Sequence, residues 1–274
     1  MQRQDEPMVI PIHDRNPVRR APVVTYTLIA INLAVFLIEP VHHVQLGPHG
    51  LSTATLCEQY RFFDHYAAIP HELMTGHIQG HRYINTAGQA ICSDDYAHKN
   101  APLSVLYSMF LHASWLHVLG NMLFLYVFGN NVEDRMGRVR YVLFYLASGY
   151  VSAYGFALIF PNSQTALIGA SGAIAGILGA YLALWPRARV WSLVPFLLFI
   201  PLRLPAWLVL GSWFVLQWWY SASGQSVQGA GVAYVAHVVG FLFGIVIAMA
   251  LRRRGPSALA DGSPGGRRRR LAST

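Results

Sequence analysis

Apolar residues along this chain gather into six long runs, Ala21 to Ile38, Leu103 to Phe128, Tyr141 to Phe160, Ile168 to Trp185, Pro205 to Tyr220 and Val232 to Leu251, separated by polar or Gly- and Pro-containing stretches. A helix needs about 17 to 25 mostly apolar residues to cross a ~30 Å hydrocarbon core, and runs of this length with so few charges predict membrane-spanning helices. The first run continues into Glu39-Pro40 without the small-residue cut site of a cleaved leader, so it reads as a retained helix. Met1 to Arg20 and Arg252 to Thr274 are polar and rich in breakers, and both are expected to be flexible, leaving 21 to 251 as the membrane domain.

Composition agrees with this pattern: 54% of the 274 residues are hydrophobic and only 12% are charged, too apolar for an ordinary soluble domain. If six helices alternate across the bilayer, all of the 20 basic residues except Arg61, Arg82 and Lys99 fall on one side. Retained basic residues mark the cytoplasmic face, so both termini are expected there. That asymmetry accounts for the net charge of +8 without nucleic acid, since the Arg267 to Arg270 run has no interleaved aromatics for base stacking and suits anionic lipid instead. Arginine use over lysine, with abundant alanine and glycine, is associated with GC-rich bacteria, so a bacterial cytoplasmic membrane is the expected location.

The connection from residue 39 to residue 101 is a long loop on the opposite, external side, too long for a plain turn. It carries the two cysteines, Cys57 and Cys92, on the side where disulfides persist, and they are expected to pair. Closing such a loop is worth roughly 3 to 4 kcal/mol in the chain-entropy model. Its eight histidines, His42, His43, His49, His65, His71, His77, His81 and His98, lack the tight ligand spacing of a zinc site. On the basic side, Val190 to Arg203 is broken by Pro195 and Pro201, with Pro205 beyond, and is expected to lie along the interface, with Trp207, Trp213, Trp218 and Trp219 as interfacial anchors. Ser221 to Gly231, flexible in composition and next to the sixth helix, is a candidate hinge that could move with the fifth helix to admit substrate laterally.

Polar side chains inside apolar helices are costly and need a reason to be there. Ser171, in Gly169-Ala170-Ser171-Gly172, opens the fourth run, and His237 lies about a turn and a half inside the sixth, so their depths can match. A neutral imidazole is the natural base for a hydroxyl nucleophile. Each residue alone is also compatible with a structural role, the serine bonding back to its helix and the histidine bonding across helices. Gly172, Gly176 and Gly179 share one helical stripe; His237, Gly240 and Gly244 share another, and small stripes let two helices approach closely. On the second run His117 and Asn121 are four residues apart on one face, two donors suited to an oxyanion. Zinc on His112 and His117 is excluded by their five-residue spacing, so no metal is expected.

Together these segments resemble the rhomboid family of intramembrane serine proteases. The resemblance rests on His112-Ala113-Ser114-Trp115-Leu116-His117-Val118-Leu119-Gly120-Asn121, Val132-Glu133-Asp134-Arg135-Met136-Gly137, Gly169-Ala170-Ser171-Gly172, and Ala236-His237-Val238-Val239-Gly240 with Gly244, in that order. It implies an all-α membrane protein, a bundle of six transmembrane helices with the long external loop between helices 1 and 2. It further implies a Ser171–His237 catalytic dyad, an oxyanion hole from His117, Asn121 and the Ser171 N–H, structural roles for Glu133 and Arg135, no cofactor, and transmembrane protein segments as substrates. Two departures stand out. Leu103 and Ser104 occupy positions where some members carry Trp-Arg, and Ala175 stands where many place an aromatic that stacks on the histidine. A client-binding relative without catalysis would typically lack the serine or histidine. A transporter would place its polar residues at the midplane.

Overall fold

The computed structural model describes residues 10–41 except 15 and 17, 53–84 except 79 and 81, 90–93, 99–194, 200–223 and 233–253. Residues 224–232, with most of the proposed hinge, the residues from 254 onward, and His42, His43, His49, His81 and His98 lie outside them. The described fold is mostly helical. Six helices follow the six apolar runs: α1 (Val23–Ile38), α5 (Trp115–Met136), α6 (Arg138–Ile159), α7 (Ser171–Leu184), α8 (Ala206–Ala222) and α9 (Tyr234–Arg253). Among the described residues two helices, Arg138–Ile159 and Tyr234–Arg252, are by themselves long and apolar enough to cross a membrane; Val23–Ile38 and Ser171–Leu184 are apolar but shorter.

The second apolar run is not one helix. It divides into α4 (Ala101–Ser108), capped by Asn100 accepting from the Leu103 N–H at 2.9 Å, and α5, capped by Ser114 accepting from the His117 N–H at 3.1 Å. A side-chain cap satisfies a first-turn N–H that has no partner inside the helix, so Ser114 fixes where α5 starts. At its other end Gly137, at φ +80°, turns the chain directly into α6.

Two ends of the bundle can be distinguished, the near end where α1 starts and the far end where it stops. At the near end Glu133 of α5, almost wholly buried, accepts from the Val24 N–H at 3.0 Å, the Thr25 N–H at 2.8 Å and the Thr25 hydroxyl at 2.8 Å. It supplies the cap that α1 lacks of its own, with a negative charge at a helix N-terminus. Arg135 is exposed and forms no ion pair with Glu133 among the described residues.

The near end also holds strands. β1 (Ile10–Asp14) pairs antiparallel with β4 (Arg189–Val194), which pairs with β5 (Ile200–Pro205). Ile10–Asp14, expected to belong to a flexible terminus, is a strand, and it pairs with β4 within the segment expected along the interface. Asp14 is tied beneath the bundle by the Asn131 amide at 2.7 Å and the Tyr181 hydroxyl at 2.6 Å. Pro11 sits in an edge strand beside a register shift, where its missing N–H costs no ladder bond.

At the far end lie α2 (Thr53–Tyr66), α3 (Pro70–Thr75) and the hairpin of β2 (Arg82–Ile84) with β3 (Ala90–Ser93). Cys57 of α2 and Cys92 of β3 form a disulfide with Cα atoms 5.7 Å apart. Lys99 and Glu72 form an ion pair at 2.6 Å with both side chains 2% exposed. Burial lowers the Lys99 pKa, and the Glu72 carboxylate raises it back in part.

The core centres on α7, buried without a break from Ala173 to Tyr181. The Gly240 and Gly244 stripe of α9 lies on its contact with α7, whereas Gly172 and Gly176 face Ser152 and Ser148 of α6 and offer α9 their carbonyl oxygens. A Cβ on Gly240 would run into the Gly172 carbonyl oxygen, one on Gly244 into that of Gly176, and one on Gly179 into that of Phe241. The two backbones therefore touch directly. At the same junction Ser152 of α6, which a Cβ on Gly240 would also meet, shares its hydroxyl proton between the Ser148 carbonyl at 2.7 Å and the Gly172 carbonyl at 3.1 Å.

Candidate active site

The residues with chemical potential meet at the far end, where α5, α7 and α9 begin and α8 ends. The chain enters α7 through a clamped loop: the Leu167 N–H donates to the Ala68 carbonyl at 2.8 Å, and the Gly169 N–H to the Ser108 carbonyl at 2.9 Å. Ser108 also accepts at its hydroxyl from the Ala68 N–H at 2.6 Å, so one residue holds both strands of the approach. Gly169 has φ +120°, and a Cβ there would come within 2.7 Å of His117 Nε2 and 3.6 Å of Asn121 Nδ2. Only glycine lets the loop pass so close over those two side chains before Ser171.

Ser171 is the first residue of α7, whose start carries no side-chain cap. Its Oγ lies 2.7 Å from Nε2 of His237, and Nδ1 of the same ring lies 2.7 Å from Oε1 of Gln217 on α8. The ring is enclosed by the Trp213 indole, centroids 5.9 Å apart, and by the edge of Tyr234 at 6.5 Å. Trp213, expected at the lipid interface, thus faces the histidine, while Trp207, Trp218 and Trp219 are exposed.

Beneath Gly169 the donors are organised by His112. Its Nδ1 faces the Phe110 carbonyl at 3.2 Å and its Nε2 the Asn121 Nδ2 at 3.0 Å, so the ring donates to the former and accepts from the latter. The His112 backbone N–H reaches both carboxylate oxygens of Glu39, at 3.1 and 3.2 Å. Burial pushes the Glu39 carboxyl up to about 7, opposed by that N–H. Among the described residues no group of three or more His, Cys, Asp or Glu side chains could hold a metal ion.

Of the residues singled out by sequence, Ser171, His237, His117, Asn121, Gly172, Gly176, Gly240 and Gly244 assemble here, while Glu133, Arg135 and the cysteine pair do not. Gln217 and the supporting role of His112 were missed. Gln217 carried a usable signal, a lone amide in an otherwise apolar helix.

A hydroxyl hydrogen-bonded to a buried imidazole, beside amide and imidazole groups at the start of a helix, defines a helical protein whose site suits nucleophilic chemistry. A family model for the Rhomboid domain matches residues 99–254, more than half of the chain, and the chain belongs to the rhomboid family. It is an integral membrane protein. It is similar to Rhomboid protein 1, mitochondrial, of Saccharomyces cerevisiae, 29% identical over 150 residues that cover 53% of this chain and 40% of that one. It is also similar to Rhomboid-like protein 11, chloroplastic, of Arabidopsis thaliana, 29% identical over 157 residues covering 56% of this chain and 53% of that one. YdcA of Bacillus subtilis, which carries the name of a proposed rhomboid protease, is 36% identical over 72 residues, 26% of this chain and 36% of its own. The chain thus spans between about a third and a half of the length of these curated relatives.

Proposed function

We propose that this protein is an intramembrane serine endopeptidase that hydrolyses peptide bonds in or near the transmembrane segments of other membrane proteins. The observation that carries the reading is the 2.7 Å contact between Ser171 Oγ of α7 and His237 Nε2 of α9. His237 takes the hydroxyl proton as Oγ adds to the substrate carbonyl. The oxyanion is met by the Ser171 N–H at the uncapped start of α7, with Asn121 and His117 as further donors. The tetrahedral intermediate collapses to an acyl-enzyme as His237 passes the proton to the leaving amine. Water then adds to the acyl carbonyl, giving its proton to His237, and Ser171 is released. No cofactor enters these steps.

The proposal includes a membrane domain from residue 21 to residue 251 with six spans in alternation, both termini on the arginine-rich near side and the disulfide-closed segment on the far side. With 14 residues at 1.5 Å each, α7 is about 21 Å long, short of a ~30 Å core. Anchored by its near end, it leaves Ser171 recessed from the far surface, at a depth where a substrate helix has to unwind. Cleavage of a single-span reporter in liposomes tests the reading. Wild-type protein is expected to cut it and Ser171→Ala to leave it whole; cutting by both variants would remove the mechanism, and cutting by neither folded protein would favour client binding without catalysis.

A further inference from the structure

We propose that Gln217 is the positioning residue for His237, holding the imidazole in the tautomer that can receive the Ser171 proton, and that it does so only while α8 is docked against α9. The inference rests on the proposed protease reading and adds a third member to its site.

A neutral imidazole carries one N–H, and Ser171 can be deprotonated only by a ring whose Nε2 is free of it. The proton must then sit on Nδ1, which faces Oε1 of Gln217 at 2.7 Å. An amide oxygen accepts from Nδ1–H and has nothing to offer the other tautomer. Turning the amide over would present an N–H to Nδ1 and force the proton to Nε2, where it blocks the base. An amide has a further advantage over a carboxylate in a buried position: it orients the ring without placing a full charge there. Ala175 provides no aromatic face, and the Trp213 indole, on the same helix as Gln217, lies tilted beside the ring at 5.9 Å, so α8 supplies both an aromatic neighbour and the hydrogen bond.

The dependence on docking follows from how α8 is buried. Its buried residues are Ala206, Val209 and Leu210 toward the near end and Gln217 alone toward the far end. Val215, Trp218 and Trp219 around it are exposed. A buried amide among exposed apolar neighbours is unfavourable unless its hydrogen bond is made. The far half of α8 is otherwise held to α9 by ring contacts, Phe214 on Phe241 at 4.8 Å and Tyr220 on Tyr234 at 5.1 Å. Outward movement of this half would part Gln217 from His237 and release the tautomer lock; its return would restore the base.

The test compares Gln217→Leu, similar in size without the acceptor, with Gln217→Glu, which keeps an acceptor oxygen at the same reach whether or not it is protonated. The readouts are the rate at which a fluorophosphonate captures Ser171, kcat and KM on the reporter, and the His237 ring 15N shifts of selectively labelled protein. Gln217→Leu is expected to lower capture rate and kcat together by roughly 10- to 100-fold, part of what a general base contributes, with KM near the wild-type value. Gln217→Glu is expected to recover most of both, and the wild-type spectrum to show the proton on Nδ1. Capture at the wild-type rate in Gln217→Leu, equal loss in folded Gln217→Glu, or a wild-type proton on Nε2 would overturn the proposal. If Gln217→Leu does not fold, the other two readouts still decide. Absence of capture in folded wild-type protein would count against the protease reading itself, whereas the ring spectrum reports on Gln217 independently.

Discussion

The α7–α9 seam and the α8 flank meet at the same histidine but are built on opposite principles. Along the seam no side chain separates the helices at Gly172, Gly176, Gly240 and Gly244, and the backbone itself sets the distance. Along α8 four of 17 residues are buried, and aromatic rings with one amide make the contact. The proposed nucleophile and base, Ser171 and His237, thus sit at the end of a seam where two backbones touch, and the proposed orienting residue, Gln217, sits on a flank held by rings and one amide. In the proposed mechanism the seam sets where the pair is, and docking of α8 sets whether the pair is competent.

The largest break in this contrast is Gly244→Leu, which places a side chain against the Gly176 carbonyl. Overpacking against ordinary side chains costs about 1 to 3 kcal/mol, and backbone cannot turn aside as a side chain does, so a loss of about 3 kcal/mol or more is expected. Thermal unfolding in detergent should show it together with loss of reporter cleavage. A smaller effect isolates chemistry from packing. Asn121→Ala removes a donor on α5 without touching the seam; kcat is expected to fall by about 10- to 1,000-fold, and the unfolding midpoint to fall less than in Gly244→Leu, since only the His112 acceptor is left unpaired. The smallest effect sharpens the comparison from the other flank: a Cβ at Gly211 of α8 meets no atom within 4 Å. Gly211→Ala should therefore stabilise by up to about 1 kcal/mol through helix propensity alone, with cleavage unchanged.

Much of this arrangement was legible because its causes are local in sequence. The apolar runs anticipate where the long helices lie, and the spacing of Gly240 to Gly244 anticipates the face of α9 that meets α7, while the face of Gly172 and Gly176 meets the α6 serines. The break at 109–114 was missed because the run stays apolar through Met109, Phe110 and Leu111. The capping residue Ser114 was the available sign. The near-end sheet was beyond local reading, since Ile10 pairs with Leu193 and a five-residue strand containing proline shows no usable alternation. Trp213 reads as a lipid anchor from composition, and only packing turns it toward His237. Gln217 was overlooked for a different reason, since its role depends on a partner 20 residues away across a turn.

The central claim is that Ser171 is activated by His237, and the most direct measurement is mass-spectrometric mapping of the adduct left by a fluorophosphonate on the folded protein and on His237→Ala. The adduct is expected on Ser171 in the wild type and is expected to be lost in His237→Ala. A folded wild type with no adduct on Ser171, or capture at the same rate without the histidine, would contradict it.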